Sequence, residues 1–295
     1  MLTEPTAIAK QNAGESVQIA FRALDNLTRK IPMPESNTCY LTGNLFDQRT
    51  CENGTCWDEG YVYVVDCEED METYYASLLG KQESVLSEAV HDMIANPKVV
   101  SYYYGLQQAY AITDTDDDGF IIDMYSNCTG TFDNMWGESG GVETCGSFNR
   151  EHALPKSWWG HNDNNVQSMY TDLMHVIPTN SEVNSARGAY PYSEVANPTT
   201  TFGNGSKVGN STFPGYSNTA FEPADEYKGD VARIYFYMIT CYNDVNFSQN
   251  TYADGSTNVF SYIGGKPVFT DFAKNLFLKW HRQDPVSDRE RHRND

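Results

Sequence analysis

Apolar positions along the chain recur with two different spacings, which predict both helices and strands. Helical spacing, in which apolar residues lie three and four positions apart, occurs in residues 14–24, 73–96 and 268–282, and after Asp230, which can cap a further helix. The face of that last helix would carry Val231, Ile234, Tyr235 and Met238. Short strands are predicted at Tyr61–Val65 and at Phe120–Tyr125.

One long segment shows neither spacing. Residues 197–220 are rich in Gly, Asn, Ser and Thr, which predicts a long loop. The predicted helices and strands do not alternate regularly along the chain. We therefore expect an α+β fold rather than a doubly wound parallel sheet.

A change of composition near residue 72 predicts two parts. Residues 35–72 carry ten carboxylates against the single cation of Arg49, and they hold four of the seven cysteines: Cys39, Cys51, Cys56 and Cys67. The spacing of Cys51 and Cys56 is not the tight CxxC of a zinc site. We therefore expect 1–72 to be an acidic, disulfide-stapled extension rather than a metal knuckle, and 73–295 to be one domain.

The net charge restricts the partners of this chain. Forty acidic residues against 20 Lys and Arg give a charge of −20. That balance argues against a protein that coats nucleic acid with a general basic surface. It leaves room for a local phosphate site, because one metal ion can outweigh several distant carboxylates.

Several features favour passage through an oxidising secretory route. Besides the cysteines, Asn-x-Ser/Thr sequons begin at six positions: Asn26, Asn53, Asn127, Asn204, Asn210 and Asn246. No apolar secretion signal follows Met1, and no segment is long and apolar enough to span a bilayer. We expect a secreted, soluble glycoprotein with disulfide bonds.

Polar residues whose side chains can bind a metal or act in catalysis cluster around residue 150. The cluster comprises Arg150, Glu151, His152, Lys156, Asp172, His175, Asn184 and Arg187. Phosphodiester hydrolysis needs a base, a divalent cation and a group that holds the phosphate. His152 titrates near working pH, Glu151 and the Asn184 amide supply hard oxygen ligands, and Arg187 offers a fork of donors.

Each of these residues also has a purely structural interpretation. A single histidine is more often structural than catalytic. Asn184 and Arg187 could start and decorate a helix, and Asp172 with His175 could stabilise one helical turn. Adjacent Glu151 and His152 cannot share a face of a regular strand or helix, although they can serve neighbouring roles at a strand end. Residue types alone therefore leave the function open.

Five segments of the sequence, in the same order along the chain, resemble those of a known protein family. The blocks are Asn149–Ser157 (NREHALPKS), Tyr170–Pro178 (YTDLMHVIP), Val183–Pro191 (VNSARGAYP), Phe221–Met238 and Leu278–Asn294. They resemble the endonuclease I family of bacterial periplasmic and secreted nucleases, which belongs to the His-Me finger (ββα-metal) group. The resemblance spans roughly 73–295, with Met174 standing where the family commonly has a second histidine.

The resemblance implies a fold and a mechanism. A ββα unit would supply His152 from a strand as general base and Asn184 from a helix. Glu151 and Asn184 would hold one divalent cation, Mg²⁺ or else Ca²⁺ or Mn²⁺, and Arg187 would support the scissile phosphate. Further substrate contacts would come from Arg150, Lys156 and His175. DNA is the expected substrate, with RNA also accepted, little sequence preference, no membrane association and a monomeric state.

An acidic segment imitates a calcium loop. Asp114, Asp116, Asp118 and Gly119 match the first half of an EF-hand, but Tyr125 stands where the bidentate carboxylate should be. We therefore expect a solvated acidic loop. Two other functions remain open: a catalytically silent Ca²⁺- or carbohydrate-binding glycoprotein on a nuclease scaffold, and a phosphodiesterase for small substrates.

Overall fold

The computed structural model describes residues 75–95, 97, 99–131, 147–160, 167–247 and 258–294, together with the backbone of five strands before residue 65. The chain divides into two compact units, residues 1–81 and 82–294. The boundary predicted near residue 72 falls among residues outside the described ranges and stays a prediction. In the part that is described, no helix is both long and apolar enough to cross a bilayer.

In the first unit, residues 75–81 contain a 3-10 turn at Ala76–Leu78, and the other described residues form five strands. They are β1 (Val17–Ala23), β2 (Ile31–Pro32), β3 (Thr38–Cys39), β4 (Gln48–Glu52) and β5 (Thr55–Val64). Strand β5 pairs antiparallel with both β1 and β4, and β2 pairs with β3. The strand predicted at Tyr61–Val65 is confirmed as the end of β5. The register places Cys51 opposite Cys56, but the predicted disulfides lie outside the described side chains.

The helix predicted over residues 14–24 is wrong, because this segment forms β1. Val17, Ile19 and Phe21 also alternate with the residues between them, so the segment fits a period of two as well as a helical one. Its seven residues pair with β5 throughout. A ladder to a distant strand satisfies the backbone groups of β1, and local periodicity cannot anticipate such a partner.

The second unit mixes helices with small antiparallel sheets, which confirms the α+β class. Its helices are α1 (Glu83–Ile94), α2 (Tyr104–Thr113), α3 (Gln167–Tyr170), α4 (Ser181–Arg187), α5 (Lys228–Cys241), α6 (Asp271–Gln283) and α7 (Asp288–Asn294). Its strands are β6 (Phe148–His152), β7 (Val176–Asn180), β8 (Val195–Thr201), β9 (Lys207–Ser211), β10 (Thr219–Glu222), β11 (Phe260–Ile263) and β12 (Lys266–Phe269). Short 3-10 turns of this unit occur at Lys156–Trp158 and Asp225–Tyr227.

Helices α5 and α6 pack together in the main core. The predicted apolar face of α5 is buried, as is a stripe on α6 formed by Phe272, Ala273, Leu276, Phe277 and Trp280. Thr270 caps α6 by accepting a hydrogen bond from the Ala273 amide. The helix ends before Pro285, which disfavours helical backbone at the preceding residue. The helix predicted at 268–282 is therefore confirmed with slightly shifted ends.

Three other local predictions need correction. The helix predicted over 73–96 is shorter, since Gly80 at φ +75° separates a 3-10 turn from α1. Asp230 does not cap α5, which begins at Lys228 and places Asp230 in its first turn. Phe120–Tyr125 forms only isolated bridges, at Phe120 and Ile121, rather than a strand.

About half of the segment 197–220, which was predicted to be a long loop, belongs to a sheet. Strands β8, β9 and β10 form an antiparallel meander in that order. Irregular pairing near Pro198 explains part of the error, because the register shifts on both sides of this residue. Every residue of β8 after Val195 is exposed, so the segment lacks the alternating buried and exposed pattern of a half-buried strand.

Helix α7 ties the end of the chain to distant elements. Arg289 Nη2 lies 3.3 Å from Asp114 Oδ1, and Arg293 pairs with the other oxygen of this buried carboxylate. Arg293 also donates to the carbonyl of Val176 at the start of β7, at 3.1 Å. Arg233 on α5 binds both oxygens of Glu290, at 2.5 and 2.6 Å. The helix is thus held by charge-assisted hydrogen bonds on several sides.

These contacts correct the expectation of a solvated acidic loop at Asp114 alone, since Asp116, Asp117 and Asp118 are exposed as expected. Asp114 is fully buried and paired with arginines rather than solvated. Asp116 Oδ1 accepts the amides of Asp118 and Phe120, at 3.1 and 2.8 Å, so this carboxylate closes its own turn. The loop serves as a structural turn that receives α7.

Gly229 allows α5 to approach the segment before α7. A Cβ added at this position would lie 2.0 Å from the Asp284 carbonyl oxygen. We expect Gly229→Ala to reduce the free energy of unfolding by about 1–3 kcal/mol, because this overlap outweighs the helix propensity of alanine, which is worth about 1 kcal/mol. Urea unfolding measures the effect. An unchanged or higher midpoint would show that the Asp284 segment moves aside at little cost.

Candidate active site

A β-hairpin followed directly by a helix forms the frame of the site. Strands β6 and β7 pair antiparallel, with Glu151 opposite Ile177 and His152 opposite Val176. Helix α4 begins immediately after β7, and Asn180 caps it by accepting the amides of Glu182 and Val183 at 2.9 and 3.1 Å. Glu151 and His152 therefore end β6, while Asn184 and Arg187 lie on the helix that follows β7.

Alternation along β6 sends the two adjacent side chains into different environments. Glu151 contacts Tyr125 and Arg187, whereas His152 lies among aromatic rings. Both side chains are buried, with only 3% and 4% of their surface exposed. The pair thus serves two neighbouring pockets rather than one.

Glu151 is a buried carboxylate that contacts Tyr125, Arg187 and the backbone of His152. Its Oε1 accepts a hydrogen bond from the Tyr125 hydroxyl at 3.2 Å and lies 3.3 Å from Arg187 Nε. Burial raises the pKa of Glu151 to about 7, although the charge of Arg187 and the Tyr125 hydrogen bond oppose the shift. The Tyr125 and Arg187 contacts both fall on Oε1, and the backbone amide of His152 donates to the same carboxylate. A carboxylate has about four lone-pair sites, so it can accept a further positive group.

His152 is held by a backbone carbonyl and surrounded by rings. Its Nε2 lies 3.0 Å from the Tyr170 carbonyl oxygen, and its ring centre lies 6.1 Å from Tyr102 in a nearly parallel arrangement. Burial lowers the pKa of His152 well below its ordinary value, and the neighbouring His175 and Lys156 lower it further. If Nε2 donates to the carbonyl, Nδ1 is the nitrogen that can accept a proton. A neutral imidazole at working pH can act as a base.

His175 lies behind His152 rather than at the surface where a substrate would arrive. It is fully buried, its Nε2 lies 2.6 Å from the Met169 carbonyl oxygen, and its ring meets His152 edge-on at 5.5 Å. Burial lowers its pKa as well. The expected direct contact with substrate is therefore replaced by packing against the candidate base.

Arg187 is also buried, and its guanidinium donates to backbone carbonyls instead of being free to bind a phosphate, as the sequence suggested. Its two terminal nitrogens donate to the carbonyls of Ala153 and Gly188, at 2.6 and 3.1 Å. The guanidinium carbon lies 4.7 Å from the centre of the Tyr192 ring. With no exposed surface, this side chain holds Glu151 and the end of β6 and does not meet solvent where a phosphate would bind.

Asn184 is half-buried on α4, and its side chain makes no hydrogen bond to any residue of the described ranges. Its amide oxygen can therefore accept a ligand. A carboxylate and an amide oxygen are ligands that Mg²⁺ and Ca²⁺ favour, and Mg²⁺ keeps several waters beside one or two protein ligands. Within the described ranges no three His, Cys, Asp or Glu side chains form a metal cluster. The donor chemistry of Glu151 and Asn184 thus fits a hydrated cation rather than a closed protein cage.

Two cations lie at the more open side of His152. Arg150 Nη2 donates to the Tyr103 carbonyl at 3.1 Å, and its guanidinium lies over the Tyr102 and Tyr103 rings. The ammonium group of Lys156 lies 5.2 Å from the centre of the Tyr170 ring. Both side chains are partly exposed, so they can meet a polyanion.

One buried aspartate, Asp123, holds the hairpin and the helix together, and it was not predicted from the sequence. Asp123 is buried and accepts four hydrogen bonds, from the Thr179 and Ser126 hydroxyls and from the Asn180 and Tyr125 amides. It therefore joins the β7–α4 junction to the chain before β6. Its neighbour Tyr125 also bonds the Tyr192 hydroxyl. Nothing in the sequence marks Asp123 out, because its neighbours Phe120, Ile121, Ile122, Met124 and Tyr125 are apolar or aromatic and predict a strand.

The sequence of the chain matches a protein family and several named relatives. The endonuclease I family model matches residues 83–295. The chain is 31% identical over 236 residues to the extracellular ribonuclease of Bacillus amyloliquefaciens, covering 79% of this chain and 73% of the relative. It is 32% identical over 231 residues to the extracellular ribonuclease of Bacillus subtilis (strain 168), covering 77% and 71%.

A shorter match reaches a third relative. Endonuclease-1 of Buchnera aphidicola subsp. Baizongia pistaciae is 31% identical over 107 residues, which are 32% of this chain and 42% of the relative. The family match covers most of the unit that contains β6, β7 and α4. The chain therefore belongs to the endonuclease I family and is an endonuclease.

Proposed function

We propose that this protein is a secreted, divalent-cation-dependent endonuclease that hydrolyses phosphodiester bonds with little sequence preference, and that its active site lies at the β6–β7–α4 unit. The arrangement would be a His-Me finger. The observation that carries the proposal is His152, a buried imidazole with a lowered pKa at a strand end beside a buried carboxylate. Its basic nitrogen would take the proton of the attacking water.

Glu151 and Asn184 are the proposed cation ligands. A bound cation would neutralise charge on the phosphate and on the departing oxygen. A buried carboxylate needs such a partner, because desolvation otherwise favours its protonated form. Mg²⁺ is the proposed ion, with Ca²⁺ or Mn²⁺ able to occupy the same oxygen ligands.

The remaining predicted site residues have supporting roles. Arg187 would position Glu151, and His175 would hold the ring of His152 in place, since both are buried and contact these groups. Arg150 and Lys156 would contact phosphates on either side of the cleaved bond, since both are partly exposed cations. Phosphate contacts position a nucleic acid without reading its bases, which accounts for the proposed lack of sequence preference.

Both DNA and RNA are proposed substrates. The expectation from the sequence favoured DNA, whereas the two longer-matching relatives carry the name ribonuclease. No contact that we assign to the site depends on the sugar. The extracellular description of those relatives also supports secretion. Cys128 is disulfide-bonded, which fits an oxidising compartment, while glycosylation and a monomeric state stay predictions.

Removal of the divalent cation tests the proposed function. We expect EDTA to abolish digestion of plasmid DNA and of RNA, and added Mg²⁺ to restore it. Glu151→Gln should retain the side-chain volume but weaken the response to Mg²⁺, so that more Mg²⁺ is needed for half-maximal rate. Glu182 is an exposed carboxylate on the first turn of α4. The variant Glu182→Gln provides the matched control and should behave like the parent.

Three outcomes would contradict parts of this proposal. Cleavage that survives EDTA would remove the cation dependence. A normal Mg²⁺ response in Glu151→Gln would remove Glu151 as a ligand. Hydrolysis of a small phosphodiester such as bis(p-nitrophenyl) phosphate, without cleavage of either nucleic acid, would instead favour an enzyme for small substrates.

A further inference from the structure

Three consecutive tyrosines at the start of α2 form an aromatic surface beside the proposed active site. We call Tyr102, Tyr103 and Tyr104 the tyrosine platform. Tyr103 and Tyr104 expose 72% and 69% of their surface, whereas Tyr102 is partly buried. Single exposed apolar residues are common, but two adjacent and largely exposed aromatic rings are suited to contact with a partner.

The platform is continuous with the candidate base. The Tyr102 ring lies 6.1 Å from His152 and 4.4 Å from Tyr170, nearly parallel to both. Tyr103 meets Tyr102 edge-on at 5.1 Å. Ring contacts therefore lead from His152 through Tyr102 to the exposed ring of Tyr103, and the exposed Tyr104 is the next residue of the chain.

Cations are interleaved with these rings. The Arg150 guanidinium lies 5.1 Å from the centres of both Tyr102 and Tyr103, and the Lys156 ammonium lies 5.8 Å from Tyr102. These positive groups stand out on a chain with a net charge of −20. Cations that follow a phosphate backbone, together with aromatic faces on which bases stack, are the combination that binds single-stranded nucleic acid.

We propose that the tyrosine platform stacks unpaired bases next to the scissile phosphate, and that the enzyme therefore prefers single-stranded segments and loops. Bases in a duplex are already stacked and present only their edges in the grooves, so exposed tyrosine rings find no free faces there. Arg150 and Lys156 would hold the adjoining phosphates. This inference rests on the proposed position of the active site at His152.

Binding of short labelled oligonucleotides tests the platform. Fluorescence anisotropy in EDTA, which prevents cleavage under the proposed function, would compare oligodeoxythymidine, oligouridine and a blunt DNA duplex. Double replacement Tyr103→Ala with Tyr104→Ala is expected to weaken binding of both single strands about 5- to 150-fold, the range expected for the loss of one stacked base. Binding of the duplex should change by less than about twofold, since no base stacks on the platform in that complex.

Two control variants separate stacking from other effects. Tyr103→Phe with Tyr104→Phe keeps both rings and should bind single strands like the parent. Ile263→Ala removes an apolar side chain with the same 72% exposure at the end of β11, and it should also bind like the parent. Circular dichroism would confirm that the alanine variant is folded, as expected for exposed positions.

The outcomes distinguish this inference from the proposed function. Unchanged binding of single strands by the alanine variant would overturn the platform even if His152 proves essential for cleavage. Equal losses for single strands and duplex would also overturn it, because a general backbone contact would then explain the effect. If His152→Ala cleaves normally, the site assignment fails, while a selective loss of single-strand binding would still establish the platform as a stacking surface.

Discussion

Replacing His152 with alanine is expected to lower the rate of phosphodiester cleavage by about 10²- to 10⁴-fold, the usual contribution of a positioned general base. The imidazole is the only candidate base at the end of β6 that burial keeps neutral, because its pKa is lowered well below the ordinary value. Glu151 is a proposed ligand of the cation, so it cannot replace His152 as the base. Initial rates with plasmid DNA and with RNA at saturating Mg²⁺ measure the loss.

A second histidine variant controls for the loss of an imidazole as such. His281 is exposed on α6, and His281→Ala should cleave at the parent rate. The folded state of His152→Ala is checked by thermal unfolding, because this ring packs against Tyr170 and Trp159. If folded His152→Ala cuts as fast as the parent, His152 is not the base, although the family assignment would stand.

Arg187→Met is expected to lower the free energy of unfolding by about 3–5 kcal/mol, which is the usual result of removing one partner of a buried ion pair. Glu151 would then remain buried without its cation, and the carbonyls of Ala153 and Gly188 would each lose a donor. Urea unfolding in EDTA measures the difference without metal binding. Arg291→Met, an exposed arginine of α7, provides a matched control with little expected change.

The stability deficit of Arg187→Met should depend on pH with a defined sign. The Glu151 pKa is raised from 4.5 to about 7 by burial, so folding takes up a proton between these values, and lowering the pH there stabilises the fold. Without Arg187 the charged carboxylate is less stable still, and its pKa rises further. The deficit should therefore be largest above pH 7 and should shrink as the pH falls towards 5. A deficit that grows on acidification would contradict the Glu151–Arg187 pairing.

Sequence reasoning performed best where structure depends on local pattern. The buried stripes of α5 and α6 follow from helical periodicity, because each helix needs only one apolar face to pack. The segment 14–24 fitted two periods equally, and its pairing with β5 decided between them. The sheet of β8 to β10 was missed because β8 is exposed at every residue after Val195 and its register shifts near Pro198, so the alternation of a half-buried strand is absent.

At the candidate site, the sequence predicted which residue types are present but not which of them are buried or what they contact. The sequence identified Glu151, His152 and Asn184 by type and by resemblance, and the structure brings their elements together in one hairpin and helix. It could not show that Arg187 is buried, since the guanidinium fork matches carbonyl oxygens as well as phosphates. Nor could it single out Asp123, because a buried acceptor of four hydrogen bonds looks like any turn aspartate in the sequence.

The pairing of α7 with Asp114 has a consequence for the lifetime of the folded enzyme. Arg289 and Asp114 lie 175 positions apart in the sequence, and contacts this distant require closure of a long chain loop. Interactions that form after the folding transition state slow unfolding more than they speed folding. These arginine–carboxylate pairs would thus lengthen the half-life of the native state, which governs the survival of a protein whose unfolding is irreversible.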